Sequence, residues 1–236
     1  MAIIHTTATL SPTKLELLAS WLPAQPWYLG QGHQPELARA GGFRLDDPQG
    51  EVGIEFMVVT DGSGHRVVTY LVPMTYRASA LASADGALIG TAEHGVLGRR
   101  WIYDGVHDPV LVAQLVALIQ GDAEPQAQSV SDTPDPTVIS EPVTSGSLTA
   151  IDSAVAASEP SGTVLRVETA GADGVRGGRL VVRVSRVLRP GGTAASAASA
   201  ASAAEAGQPC LTATWRLPDG TRVRGIMASA QYTPLV

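Results

Sequence analysis

The chain of 236 residues has one cysteine, one lysine (Lys14) and two phenylalanines, and only 16% of its residues are charged. A lone Cys210 cannot close an internal disulfide or build a thiolate metal site by itself. Its place beside Gln208-Pro209, at the start of a β-like run, reads as a buried apolar thiol. The sixteen basic residues form no run along the chain and the formal net charge is -6. A nucleic-acid groove, which needs clustered cations, is therefore not expected. No apolar stretch approaches the roughly 20 residues of a membrane-spanning helix. The N-terminal "MAIIHTTATLSPTKLELLASW" lacks the basic segment and cleavage site of a secretion signal, so the expectation is a soluble cytoplasmic protein.

Catalytic signatures are missing as well. There is no Gly-x-Ser-x-Gly elbow, no Gly-x-x-x-x-Gly-Lys-Ser/Thr or Gly-x-Gly-x-x-Gly phosphate loop, no His-x-x-x-His and no Cys-x-x-Cys. A metal centre, a catalytic residue and a cofactor are all expected to be absent. "GADGVRGG" reads as a turn between strands.

What the chain does contain is periodicity. Leu15, Leu18, Ala19 and Leu22 fall at helical spacing, opened either by Ser11 before Pro12 or by a cap at Thr13, and closed by Pro23. From Glu51 the period becomes two. "EVGIEFMVVT" and "RVVTYLVPM" read as strands joined by Asp61-Gly62-Ser63-Gly64. On the first, Val52, Ile54, Phe56 and Val58 share one face; Gly53, Glu55, Met57 and Val59 share the other. "HGVLGRRWIYD" reads as a further strand. "DPVLVAQLVALIQG" is a helix capped by Asp108, with Pro109 at its first position and Gly121 as its stop.

Residues 122–161 are rich in proline, serine and acids without a sustained period, and read as a mobile connector with one short ordered piece at Thr137-Val138-Ile139. "TVLRVETA", "GRLVVRVSRVL", "CLTATWRL" and "TRVRGIMASA" then read as strands. They are expected to complete the sheet begun in residues 1–121, within one domain. The Ala-Ala-Ser repeat in the insertion 191–208 gives no fixed helical face and reads as a flexible loop. The fold class expected is α+β, a curved antiparallel sheet with two main helices, near 12–22 and 109–120, packed on one face.

Two groups of residues invite a functional reading. Asp104, His107 and Asp108 lie within five positions and could form a metal or acid–base site. Helix capping accounts for Asp108, and a turn after the strand for Asp104-Gly105. The second group is aromatic. Trp21, Trp27 and Tyr28, with Trp101 and Tyr103, could form a rim that stacks on a sugar ring or could plug the core; the core reading is the one physics favours.

The order "WLPAQPWYLGQG", then "YLVPMTYR", then "ALIGTAEHGVLGRRWIYDGVHDPVLVAQLVALI" resembles the N-terminal cap domain of actinobacterial maltokinases and free-standing proteins similar to it, over about residues 11 to 121. Pro26 departs from that pattern, standing where the kinases usually carry arginine. The resemblance implies a curved, cystatin-like sheet that bears no catalytic residue. In the family this cap precedes a two-lobed kinase that phosphorylates maltose with ATP for α-glucan synthesis. Here the His-x-Asp-x-x-x-x-Asn-type loop and the strand lysine of such a kinase are missing, and the stretch after Gly121 is expected to be too short for two lobes. The expected function is thus a non-catalytic cap-like module. Its expected partner is a separate sugar kinase or another enzyme of α-glucan, maltose or trehalose metabolism. The alternative is a small-carbohydrate-binding protein using the five aromatics.

Overall fold

The computed structural model describes residues 9–30, 32–130, 132–141, 150–170, 177–191 and 210–234. Helix α1 (Lys14–Trp21) starts at Thr13, whose hydroxyl accepts from the Glu16 N–H at 3.3 Å while the Glu16 carboxylate accepts from the Thr13 N–H at 2.7 Å. That reciprocal box satisfies donors at the open helix end and settles the cap at Thr13. Helix α2 (Pro109–Gln120) ends as the sequence indicates, with Gly121 in the left-handed region at φ 85°.

Strands β1 (Leu10–Ser11), β2 (Leu37–Leu45), β3 (Gly53–Asp61), β4 (Val68–Arg77), β5 (Leu88–His94) and β6 (Gly98–Asp104) precede α2. After it come β7 (Gln126–Ala127), β8 (Ile139–Ser140), β9 (Ala150–Glu159), β10 (Gly162–Ala170), β11 (Gly178–Val184), β12 (Val187–Leu188), β13 (Cys210–Arg216) and β14 (Arg222–Pro234). All fourteen belong to one hydrogen-bonded sheet of order β1-β5-β6-β4-β3-β2-β13-β14-β11-β10-β9, with β12 on β4, β7 on β2 and β8 on β13. The architecture is α+β and the pairings are antiparallel.

The two helices lie on opposite faces of the sheet, not on one. Ile54, Phe56 and Val58 of β3 and Leu71 of β4 pack in one core with Leu111, Leu115 and Ile119 of α2. The alternate residues Met57, Val59, Tyr70 and Val72 pack in a second core with Leu18 of α1 and with Leu22 and Trp27. Successive strand residues point to opposite faces, so a strand apolar at both parities needs a cover on each side. The core of the α2 face continues under the later strands, where Leu165, Val167, Leu180, Val182 and Trp215 join it.

Three further expectations change, and one strand, β2, was not foreseen. "GRLVVRVSRVL" is not one strand: β11 ends at Val184, and β12 at Val187–Leu188 crosses to pair with β4. "HGVLGRRWIYD" is not one strand: β5 ends at His94, Gly95 to Leu97 form a turn, and Gly98 takes φ 69° to start β6. Strand β2, "LARAGGFRL", carries two central glycines and gives little strand signal. Gly42 is required there, since a Cβ would sit 2.2 Å from the Phe56 carbonyl, while Phe43 stacks on Phe56 at 4.5 Å. Within 122–161, the stretch read as connector supplies β7, β8 and the ten-residue β9. Edge position explains the weak pattern of β9, because only Ile151 and Ala156 need to meet the core. Residues 142–149 of that stretch, and the Ala-Ala-Ser insertion apart from Gly191, lie outside the described residues.

Candidate functional site

Strand β6 ends at Asp104, a single 3₁₀ turn covers Gly105–His107, and Asp108 begins α2. Gly105 fits because a Cβ there would meet Leu111 Cδ1 at 2.3 Å. The fully buried Asp108 carboxylate accepts from the Val110 N–H at 2.9 Å and from Arg77 Nε and Nη2, both at 2.6 Å. That hydrogen bond holds the Arg77 guanidinium above its ordinary pKa. Asp104, buried at the end of β6, accepts from Arg186 Nη2 at 2.8 and 2.6 Å. Arg186 is itself fully buried, donates from Nε to Thr163 Oγ1 at 2.8 Å, and lies 5.0 Å from the Trp27 ring centroid. Each carboxylate of the turn is thus tied to a guanidinium that neutralises it. His107 is half-buried beside them. Among the described residues no three His, Cys, Asp or Glu side chains gather as a metal site.

The five aromatic candidates do not make one rim. Trp21 lies 5.8 Å from Trp27, Trp27 lies 5.9 Å from Tyr70, and Tyr28 lies 5.5 Å from Tyr70. Trp27 has no exposed surface and belongs to the core; Trp21 and Tyr28 are half-buried at its margin. The Tyr28 hydroxyl donates to Asp61 at 2.8 Å, and burial together with that carboxylate pushes its pKa up to about 12. The Tyr70 hydroxyl accepts from the Leu29 N–H at 3.0 Å, which pins the aromatic loop to β4. Trp101 and Tyr103 sit elsewhere, packed with Leu81, Ala84 and Ala87. Tyr103 is core, its hydroxyl accepting from the Leu81 N–H at 2.8 Å. A sugar ring could reach Trp21, Tyr28 or Trp101, but neither Trp27 nor Tyr103.

Sequence reasoning missed a polar cluster on the α1 face. Glu55, buried in β3, accepts from Lys14 Nζ, the Tyr76 hydroxyl and Gln128 Nε2, each at 2.5 Å. Gln128 Oε1 in turn accepts from Arg39 Nε at 3.0 Å. Burial alone would raise the Glu55 pKa, but the Lys14 charge and these three hydrogen bonds outweigh it and hold the carboxyl below its ordinary value. Burial and the neighbouring Glu55 charge push the Tyr76 phenol well up. The signal was a single carboxylate inside the apolar run of β3, which demands a buried partner. With both oxygens engaged, the cluster ties α1, β3, β4 and the chain after β7 together.

The aromatic loop pinned to β4, the sheet β2–β6 and the capped turn at Asp108 follow one another in a single stretch. Residues 21–108 match the maltokinase N-terminal cap domain family. No curated protein matches the chain. The cap match runs from the last residue of α1 to the residue that caps α2, so Trp27, Glu55, Arg77, Asp104 and Asp108 all lie inside it. Arg186 and Thr163, which close the site around Asp104, lie outside it. Among the described residues no helix is long and apolar enough to cross a membrane.

Proposed function

We propose that the protein is a non-catalytic, maltokinase-cap-like module of the cytoplasm, with no cofactor of its own, that acts by contact with a separate sugar kinase or another enzyme of α-glucan, maltose or trehalose metabolism. The curved, cystatin-like form of the cap is part of this reading. The cap match over residues 21–108 carries it. The arginine pairing of Asp104 and Asp108 supports it, because carboxylates engaged by guanidinium groups and closed to solvent are not free to meet a substrate or a magnesium ion. The test is reconstitution: purified protein with MgATP and maltose, alone and with a separately purified maltokinase catalytic chain. We expect no sugar phosphate from the protein alone and a change in rate or melting temperature of the kinase when the two are mixed. Phosphorylation by the protein alone, or no effect on any pathway enzyme supplied, counts against the proposal.

A second reading, binding of a small carbohydrate, is favoured by the contact of Trp21 with the Trp27 core at the protein surface. Titration with maltose and trehalose, followed by tryptophan fluorescence, separates it from the first. A saturable change lost in Trp21→Ala supports binding, and a flat titration rejects it.

A further inference from the structure

The register of the last strands gathers arginines that are dispersed in the sequence. Residues 150–236 hold nine arginines against six acids, whereas residues 1–149 hold seven basic residues against sixteen acids. Paired residues on neighbouring strands share a face, and the pairs Val164–Arg183, Arg166–Val181 and Glu168–Arg179 point away from the core formed by Leu165, Val167, Leu180, Val182 and Val184. Arg166 is therefore diagonal to both Arg179 and Arg183, within reach of long side chains. The same outward face continues along β14 and β13 through Ser229, Ile226 and Thr212 to the pairs Thr214–Arg224 and Arg216–Arg222.

Arg166, Arg183, Arg216 and Arg222 are exposed, and none of these four makes an ion pair among the described residues. Arg179 alone on this face meets an acid, Glu168, at 3.2 Å. Arg224 donates to Thr212 Oγ1 at 3.1 Å. Arg216 and Arg222 stand directly opposite each other, an arrangement that destabilises a strand pair. A chain of net charge -6 that concentrates exposed arginines on one sheet face, at some loss of stability, has a surface complementary to negative charge.

We propose that the outward face of β10, β11, β13 and β14 docks an acidic segment of a partner protein. Guanidinium groups grip carboxylates in a fork, and the interleaved Thr212, Thr214, Ser229 and Gln231 offer hydrogen bonds to an extended backbone. Single-stranded nucleic acid is disfavoured because the outward positions carry no aromatic for base stacking; Trp215 and Tyr232 pack toward the other side. The inference stands apart from the choice of enzyme partner above.

The experiment uses the full chain, with a fluorescent poly-glutamate peptide as probe at two salt concentrations. Matched probes are a single-stranded oligouridylate and vesicles of phosphatidylcholine with phosphatidylserine. We expect the acidic peptide to bind, more weakly at high salt, and the double variants Arg166→Gln/Arg183→Gln and Arg216→Gln/Arg222→Gln each to weaken it about tenfold. Arg99→Gln, which changes an exposed arginine on β6, should leave binding unchanged. Melting temperatures of the double variants, equal to or above that of the parent chain, exclude unfolding as the cause. No peptide binding, binding indifferent to the face variants, or preference for the oligouridylate or the vesicles overturns the proposal.

Discussion

Arg186 meets Asp104 across 82 residues of sequence, with both side chains shut away from solvent. The reason lies in the sheet. On β4, strand β6 reaches Met74–Arg77 and leaves the earlier part open; β12 fills that gap at Thr69 and Tyr70, and the Leu71 N–H donates to the Arg186 carbonyl at 3.0 Å. Arg186 is thereby delivered to the end of β6. Breaking a buried pair by removing one partner strands the other charge, so Arg186→Met and Asp104→Asn should each lower unfolding free energy by about 3–5 kcal/mol. The double variant Arg186→Met/Asp104→Leu should recover part of that loss. Urea unfolding checks this; single losses as small as that of Glu93→Gln, at an exposed pair, would mean the junction does not hold the two parts together.

Asp108 serves as helix cap and as partner of Arg77. Asp108→Ala should cost more than the roughly 1 kcal/mol of an ordinary cap, because Arg77 is left mostly buried without its anion. Asp108→Asn keeps a capping oxygen and should cost less. Equal losses in thermal unfolding would show that the Arg77 contact contributes little.

Glu55 predicts a pH dependence. Its folded carboxyl titrates below the ordinary glutamate value of 4.5, so folding favours the ionised form. The stabilisation is complete above that value and is lost as pH falls through the lower folded one. Unfolding curves of the parent chain and Glu55→Gln should therefore differ most at neutral pH and converge in acid. A difference that stays constant from neutral pH into strong acid would remove the ion-pair account.

The aromatic group separates by burial. Trp27→Ala should cost about 3–5 kcal/mol, since it empties a core position against Arg186 and Tyr70. Trp21→Ala, at the margin, should cost clearly less. Guanidinium unfolding followed by circular dichroism gives both values, and similar losses would place Trp21 in the core as well.

Much of the local structure was legible in the residues themselves. Asp108-Pro109 with Gly121 mark both ends of α2 because the groups that satisfy an open helix terminus lie within a few positions of it, whereas the start of α1 stayed open between Ser11 and Thr13. Period-two runs marked β3, β4, β10, β11, β13 and β14, and the aromatic loop carried the cap resemblance. Even the placement of the helices had a trace in the sequence, for Met57 and Val59 make the second face of β3 as apolar as the first. The tertiary structure alone decided the rest. Strands β2 and β9 are held mainly by backbone pairing with β3 and β10, the next strands in the chain, and backbone pairing leaves little mark on side-chain pattern. Asp104 and Arg186, and Glu55 and Gln128, are brought together across long stretches of chain, and the arginines of the β10–β11 and β13–β14 hairpins are joined into one face by the pairing of β11 with β14. Register is set by hydrogen bonding and burial over the whole sheet, and no local window of sequence contains it.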